Sequence, residues 1–201
     1  MAQFTNAGAG RPRDPQVDER VQQAACELYG RVGWSGFSID AVAREAKVGK
    51  SSIYLRWRDQ TTLLLETLES RIVVPYDTDT GSLRGDLVVL ARSILTILLG
   101  ESGSVLLRLS AEARAVPELA PRWEAFMAAN VAAMRAITRR GTARGDLPPG
   151  APVTVMLDAL FGGLLMHVLA TPPSRVKKLV SQRDRYSEAL VDVVLATVDR
   201  P

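Results

Sequence analysis

The chain has 201 residues, of which 47% are hydrophobic, and its formal net charge is +3. This length suits one large domain or two small ones, and the hydrophobic content excludes a chain that is disordered throughout. The small net charge excludes a polycation, so any basic surface must be local. The N-terminus has no apolar signal-peptide core, and no run approaches about 18 apolar residues. The sequence therefore predicts a cytoplasmic protein with no membrane partner.

The chain opens with a predicted basic arm and a first helix. Residues 1–15 are rich in Gly, Ala and Pro and carry Arg11 and Arg13, which is typical of a flexible, positively charged segment. The stretch Val17–Gly33 follows, and its apolar residues recur at spacings of three and four. This spacing predicts one buried helix face, and the glycines at its end, including Gly36, favour termination.

The next stretch, SIDAVAREAKVGKSSIYLRW, runs from Ser38 to Trp57 and predicts two short helices joined by a tight turn. Ser38 is a favourable N-cap for the first of them. Residues 47–49 form the turn, and the second helix covers residues 50–57. Ile53 and Trp57 lie four residues apart and are predicted to be buried together. This arrangement is typical of a helix-turn-helix, whose second helix enters the DNA major groove.

A fourth helix is predicted from Gln60 to about Val74, where Pro75 ends it. No later stretch alternates apolar and polar residues, so the sequence predicts an all-α fold of about nine helices. A three-helix helix-turn-helix DNA-binding domain precedes a helical ligand and dimerisation domain. The predicted boundaries are residues 1–15 for the arm, 16–62 for the DNA-binding domain and 63–201 for the helical domain. The later helices are predicted at residues 82–100, 104–115, 118–144, 151–170 and 182–199.

The segment from Arg20 to about Glu66 carries a familiar set of residues at specific spacings. The matching positions are Ala24-Ala25, Leu28-Tyr29, Gly33, Phe37-Ser38, the run from Val42 to Ala46, Val48, Lys50, Ile53-Tyr54, Arg56-Trp57 and Leu63-Leu64. The segment resembles the DNA-binding domain of the TetR family of bacterial transcriptional regulators. This resemblance implies a homodimer that binds a palindromic operator on double-stranded DNA. It also implies a small-molecule effector, of unknown identity, that releases a repressor from that operator.

Three positions depart from the pattern of the family. Lys47 stands where Gly is usual in the turn, and a positive φ there carries on the order of 1 kcal/mol of strain. Gly49 stands where Ser or Thr often caps the second helix. Gln60 replaces a lysine that commonly faces a phosphate, and we expect Arg58 to supply part of the missing charge.

The predicted DNA contacts divide into phosphate and base contacts. Ser38, at a helix N-terminus, and Tyr54 are expected at phosphates, whereas Leu55 either touches a thymine methyl or packs. The arm arginines either add charge or enter an adjacent A·T-rich minor groove. Lys50, Ser51 and Ser52 are expected at base edges, or the serines are ordinary first-turn residues. The predicted DNA-binding residues are Ser38, Lys50, Ser51, Ser52, Tyr54, Arg56, Arg58, Arg11 and Arg13.

The helical domain is predicted to hold both a ligand pocket and a dimer interface. Met and aromatic side chains suit an adaptable pocket, although helical spacing makes many of them core residues in any case. The Gly162-Gly163 pair would permit close helix approach. Candidate ligand-binding residues are Leu95, Leu106, Leu109, Trp123, Phe126, Met127, Met134, Met156, Leu160, Met166 and His167. Candidate dimer-interface residues are Leu157, Phe161, Leu164, Leu165, Tyr186, Leu190 and Val194.

The sequence argues against an enzyme. No Ser/His/Asp arrangement, Gly-rich phosphate loop or carboxylate dyad is evident, and no cofactor or metal site is predicted. His167 and Asp158 fall on opposite sides of one helix, and Cys26 is predicted to be a buried small hydrophobe. Two alternatives to an effector-released repressor remain open. One is a DNA-binding dimer without an effector, acting as an activator or architectural protein, and the other is a small-molecule carrier.

Overall fold

The computed structural model describes residues 15–197, and within that range every regular element is a helix. This confirms the predicted all-α fold. A single 3₁₀ turn, Pro173–Arg175, precedes the last helix. The nine α-helices of the described range are α1 Pro15–Gly36, α2 Ile39–Ala46, α3 Lys50–Tyr54, α4 Gln60–Arg71, α5 Leu83–Leu99, α6 Glu101–Glu112, α7 Ala120–Arg144, α8 Val153–Leu169 and α9 Val176–Ala196.

Helix α1 is kinked rather than ended at Gly33. This residue has φ 68° and ψ −169°, a conformation that is accessible almost only to glycine, and the helix resumes until Gly36. A Cβ atom at Gly33 would lie 2.5 Å from Glu112 Oε1 and 2.7 Å from Arg108 Nε. The kink therefore lets two side chains of α6 approach the backbone of α1 closely.

Other helix ends also differ from the prediction. Helix α3 ends at Tyr54 instead of residue 57, and α6 covers Glu101–Glu112 instead of residues 104–115. Helix α4 ends at Arg71 instead of Val74, because Pro75 disfavours a helical conformation at Val74 and the chain already leaves the helix at Ile72, with φ −98° and ψ 78°. Helix α9 begins at Val176, six residues before the predicted start, because the 3₁₀ turn feeds directly into it.

The buried residues form two clusters. The first joins α1, α2, α3 and α4 with the inner face of α6, including Val105 and Leu109. The second joins α5, α7, α8 and α9. The predicted domain boundary at residues 62 and 63 falls inside α4, whose Leu63 and Leu68 pack in the first cluster. Helix α6 thus packs its buried face against the DNA-binding helices, although it lies beyond the predicted boundary.

A network of charges fixes the start of α5 to the end of α7. Asp86 is buried, accepts hydrogen bonds from the Thr80 backbone at 2.7 Å and hydroxyl at 2.8 Å, and pairs with Arg144 at 2.9 Å. Arg144 also pairs with Asp79 and Asp146. Burial alone would raise the pKa of Asp86, but the hydrogen bonds from Thr80 and Arg144 outweigh it and hold that pKa below its ordinary value.

Candidate DNA-binding surface and ligand cavity

Helices α2 and α3 form the predicted helix-turn-helix. The Ser38 hydroxyl accepts a 3.2 Å hydrogen bond from the Ala41 backbone N–H, which confirms Ser38 as the N-cap of α2. Lys47 has φ 55° and ψ 46°, so the expected positive φ in the turn is present. Gly49 precedes α3 and provides no side-chain cap. Ile53 and Trp57 are buried, as predicted, and they fix α3 against the first cluster.

Four of the predicted DNA-binding side chains line one surface recess. Ser38, Lys50, Tyr54 and Arg58 share its lining with Asp40, Asp59 and Gln60. Lys50 pairs with Asp40 at 2.6 Å, and its Nζ lies 5.7 Å from the centre of the Tyr54 ring. The hydrogen bond from Lys50 to Asp40 raises the pKa of this lysine, which keeps it cationic. The recess therefore combines two hydroxyls with two exposed cations, Lys50 and Arg58, each paired with a carboxylate.

The two arginines that follow α3 differ in their surroundings. Arg56 is largely buried, pairs with Asp18 of α1 and donates a 2.9 Å hydrogen bond to the Ser52 carbonyl oxygen. Its guanidinium thus holds α3 against α1, and its contact with DNA stays a prediction. The Arg58 side chain is 86% exposed, and Asp59 is its ion-pair partner at 3.0 Å. Arg11 and Arg13 lie outside the described residues.

The outer surface of α3 is polar and accessible. Ser51 is exposed and Ser52 is half-buried, while Tyr54 and Leu55 are 50% and 77% exposed. Leu55 is the C-cap residue of α3, and the exposure of so large an apolar side chain is consistent with contact to another molecule. This surface matches what a major-groove helix needs.

A cavity of about 360 Å³ lies in the helical domain. Helices α5, α6, α7 and α8 and the chain after α4 surround it. Of the predicted ligand-binding residues, the cavity brings together Leu106, Trp123, Phe126, Met127 and Met134. The prediction missed the polar lining side chains Tyr76, Ser110, Asn130 and Asp158, whose isolated positions carry no motif. The remaining lining residues are Ile72, Val74, Ile94, Ile97, Leu98, Leu107, Val131, Phe161 and Leu165.

The other predicted ligand-binding residues lie elsewhere. Leu95, Met156 and Leu160 belong to the second cluster and Leu109 to the first, so these side chains pack in the hydrophobic core instead of lining the cavity. Met166 is 62% exposed. The His167 ring stacks on Tyr186 with centroids 3.7 Å apart, between α8 and α9. These residues point away from the cavity because neighbouring positions on a helix face different directions.

The predicted dimer residues also turn inward. Leu157, Leu164 and Val194 are buried within a single chain, and Phe161 and Leu165 line the cavity. Tyr186 and Leu190 are half-buried against α8: the Tyr186 hydroxyl donates a 3.2 Å hydrogen bond to the Gly163 carbonyl oxygen, and a Cβ on Gly163 would lie 2.9 Å from Leu190. Gly163 thus serves close packing of α8 on α9 inside one chain.

A different set of residues forms the exposed apolar face of α8 and α9. Val155, Met166 and Leu169 on α8 are 66%, 62% and 58% exposed, and Val193 on α9 is 64% exposed. Gly162 lies on the same side of α8, and a Cβ there would meet nothing within 4 Å. We call Val155, Gly162, Met166, Leu169 and Val193 the outer face.

Residues 15–197 contain no group of three or more His, Cys, Asp or Glu residues arranged to hold a metal ion. No single helix among them is both long and apolar enough to cross a membrane; only α8 taken together with the segment 173–196, at a bend of 104°, reaches the required length and composition. Cys26 is buried as predicted, and burial raises its pKa to about 11.

The helix-turn-helix with its accessible second helix, carried on a helical domain with a cavity, defines a DNA-binding transcriptional regulator. Residues 22–67 match the model of bacterial regulatory proteins of the tetR family, and residues 77–194 match the tetracyclin repressor-like C-terminal domain. The chain belongs to the TetR family of transcriptional regulators. Members of this family are DNA-binding transcription factors and not enzymes; they bind small-molecule ligands and act as dimers.

Individual relatives agree with this assignment. The chain is 26% identical over 167 residues to the HTH-type transcriptional regulator YdeS of Bacillus subtilis, covering 81% of this chain and 83% of that one. It is 28% identical over 161 residues to the regulator AqdR of Rhodococcus erythropolis, covering 79% and 76%. The structure of FadR from Bacillus subtilis in complex with stearoyl-CoA superposes with a TM-score of 0.64 at 17% identity, covering 90% and 96%. At that identity the likeness concerns the fold alone.

Proposed function

We propose that this protein is a homodimeric repressor that binds a palindromic operator through α3 and leaves it when a small apolar or amphipathic ligand fills the cavity. The observation that carries this proposal is the double contact of α6. Leu106, Leu107 and Ser110 of α6 line the cavity, while Arg108 and Glu112 of the same helix clasp α1 at its kink. One rigid helix thus touches both the ligand site and the DNA-binding helices.

The proposed DNA interface uses the recess at the start of α3. In this proposal Lys50, Ser51 and Ser52 contact base edges, because they open the recognition helix and lysine can donate to guanine O6 and N7. Ser38, Tyr54 and Arg58 line the same recess as Lys50 and supply the phosphate contacts of this proposal. Arg56 is left out of this set because Asp18 and the Ser52 carbonyl already occupy it.

The outer face is the proposed dimer interface. It contains most of the apolar side chains that α8 and α9 leave exposed, and Gly162 on it leaves room for the backbone of a partner helix to come close. Dimerisation matters for function because a single helix-turn-helix contacts few bases, whereas a dimer spans two half-sites about one or more helical turns apart. The interface therefore sets the distance between the two α3 helices.

Release follows from a change in that distance. A ligand shifts the equilibrium only if it binds the conformation that cannot span the operator more tightly than the one that can. Filling the cavity displaces Leu106, Leu107 and Ser110, and α6 passes the displacement to α1 through Glu112. Helix α4 is a second connection, since Ile72 directly after it lines the cavity.

The experiment that tests this proposal is fluorescence anisotropy of the purified protein with duplexes that tile the DNA upstream of its own gene, across a salt series. We expect binding to one roughly palindromic tile that weakens steeply with salt. Lys50→Ala should lose the preference for that tile, whereas Lys177→Ala, which removes an exposed lysine on α9, should keep it. Equal binding to every tile would contradict a specific operator there. No binding even at low salt would contradict DNA binding and favour the carrier.

A further inference from the structure

We infer that the cavity selects an amphipathic cation, with its apolar body inside and its positive group at Asp158; this inference rests on the proposed function of the cavity as the effector site. The 18 lining residues contain a single charged side chain, the carboxylate of Asp158. Within the described chain, none of the lining residues is Lys, Arg or His. The cavity is therefore apolar with one unbalanced negative charge.

The position of Asp158 suits the headgroup of a ligand. Asp158, Phe161 and Leu165 lie three and four residues apart on α8, so the carboxylate stands on the cavity side of that helix. Asp158 is exposed, which places its carboxylate at the rim of the cavity. Among residues 15–197 no hydrogen bond or ion pair engages it, unlike Asp86 and Asp192, which are held by arginines. A cation at the rim would supply the missing partner.

The neutral polar groups of the lining are already bonded within the protein. The Tyr76 hydroxyl donates to Asn130 Oδ1 at 2.5 Å, and Asn130 Nδ2 donates to the Phe126 carbonyl oxygen at 2.7 Å. The Ser110 hydroxyl donates to the Leu107 carbonyl oxygen at 2.7 Å. These donors are directed to protein acceptors, so the cavity offers little to a carboxylate, sulfate or phosphate group. Such anions are held in proteins by charged donors, and here they would meet Asp158 instead.

The apolar interior accommodates the body of the ligand. Trp123 and Phe126 stack with centroids 5.6 Å apart at 29°, and Met127 and Met134 lie on the same helix beside them. Aromatic and methionine side chains adapt to hydrocarbon of varied shape, and aromatic rings attract cations over their faces. The volume of about 360 Å³ suits a small molecule. Charge and shape thus favour an alkyl or aryl ammonium over an acyl thioester that carries phosphates.

Isothermal titration calorimetry with three probes of equal tail length tests this inference. The probes are n-decyltrimethylammonium and n-decyl sulfate, each below its micelle-forming concentration, and 1-decanol below its solubility limit. We expect the wild-type full chain to bind the cation about tenfold or more tightly than the sulfate, with the alcohol between them. Asp158→Asn should weaken cation binding about tenfold without weakening sulfate binding. Glu118→Gln, which removes an exposed carboxylate outside the cavity, should change neither.

Several outcomes would overturn the inference: no binding of the cation, equal or tighter binding of the sulfate, or an Asp158→Asn variant that binds the cation like wild type. Anisotropy with the operator duplex then distinguishes a failure of the charge selectivity from a failure of ligand-induced release. If the cation binds through Asp158 but leaves DNA binding unchanged, the charge selectivity stands and release by ligand fails. If the alcohol or the sulfate releases DNA while the cation does not bind, release stands and the charge selectivity fails.

Discussion

The Tyr29 hydroxyl of α1 donates a 2.6 Å hydrogen bond to Glu112 of α6, and this bond links the DNA-binding helices to the helix that lines the cavity. The same carboxylate accepts the Trp34 backbone N–H at 3.0 Å, and Arg108 pairs with it at 3.1 Å. Burial raises the pKa of Tyr29, and the hydrogen bond to Glu112 raises it further. For Glu112 the effect of burial is outweighed by the hydrogen bonds from Tyr29, Trp34 and Arg108, which hold its pKa below the ordinary value.

Tyr29→Phe removes this bond and leaves the rest of the ring in place. Because a hydrogen bond to a charged group contributes about 1.5–3 kcal/mol, we expect the free energy of unfolding to fall by about that amount in urea titrations. Tyr54→Phe is the matched control, since that ring is half exposed, and it should leave stability unchanged. The proposed coupling further predicts that Tyr29→Phe weakens ligand-induced release of DNA. Equal stability of the two variants would contradict a structural role for this bond.

Gly33→Ala tests the kink at which α6 meets α1. Alanine adopts the φ and ψ of this position poorly, and its Cβ would lie 2.5 Å from Glu112 Oε1. Strain and overlap together should lower the free energy of unfolding by roughly 2–4 kcal/mol. Gly145→Ala is the control, because Gly145 also has a positive φ of 84° but open space around its Cβ position. There only the strain of about 1 kcal/mol applies, so equal losses in both variants would argue against close packing at Gly33.

The local features of the helix-turn-helix could be predicted because they depend on neighbours in the sequence. The Ser38 cap and the burial of Ile53 with Trp57 follow from spacings of three and four residues, whereas the positive φ of Lys47 follows from the resemblance to the family, in which Gly is usual at this position. The partner of Arg56 could not be predicted in this way. Its partner Asp18 lies 38 positions away, and nothing near Arg56 in the sequence indicates that α1 will bring a carboxylate to it.

The inner and outer sides of α8 could not be predicted for a different reason. Nearly every residue of VTVMLDALFGGLLMHVL is apolar, so periodicity does not tell which side packs on α5 and α9. Leu164, a candidate for the dimer interface, is buried in the chain's own core, whereas Met166, a candidate for the ligand site, is exposed. Asp158 is the only charged residue in this helix, and its position marks the side of α8 that faces the cavity, which the apolar residues do not.

Asp86→Asn tests the network that joins α5 to α7. We expect a loss of about 1–3 kcal/mol at neutral pH, because the charged hydrogen bonds to Thr80 and Arg144 weaken. The pKa of Asp86 lies below its ordinary value of 3.8 in the folded protein, so its contribution is fully present above that value and is lost as the pH falls through the folded pKa. Urea titrations should therefore show the variant and wild type converging only in acid.

Asp77→Asn provides the comparison for that pH series. Asp77 is exposed on the same connection between α4 and α5, and among the described residues no ion pair or hydrogen bond engages it. Its substitution should leave stability within about 0.5 kcal/mol of wild type at every pH. A difference between Asp86→Asn and wild type that grows toward low pH would contradict the assigned sign of the pKa change.

Substitution of the two arginines after α3 should have different effects on DNA binding and on stability. Arg58→Ala removes an exposed cation beside the recess, so we expect weaker operator binding and a salt dependence that falls by about one phosphate contact. Arg56→Ala removes the pair with Asp18, so we expect a lower free energy of unfolding. Anisotropy across a salt series and urea titration of both variants measure these effects. An Arg58→Ala variant with wild-type affinity and salt slope would remove Arg58 from the interface.

Met166→Asp tests the proposed dimer interface directly. Met166 is 62% exposed at the outer face, so an aspartate there is solvated in a monomer but faces an apolar partner in a dimer. We expect sedimentation velocity to show dissociation at concentrations where wild type is dimeric, together with loss of operator binding. Val73→Asp places the same charge at a side chain that is 75% exposed but belongs to neither α8 nor α9, and this variant should remain dimeric. Because Met166 has few contacts to lose within one chain, the free energy of unfolding of the monomer should change little. A Met166→Asp variant that stays dimeric and binds the operator would place the interface elsewhere, and the distance between the two α3 helices would then depend on other residues.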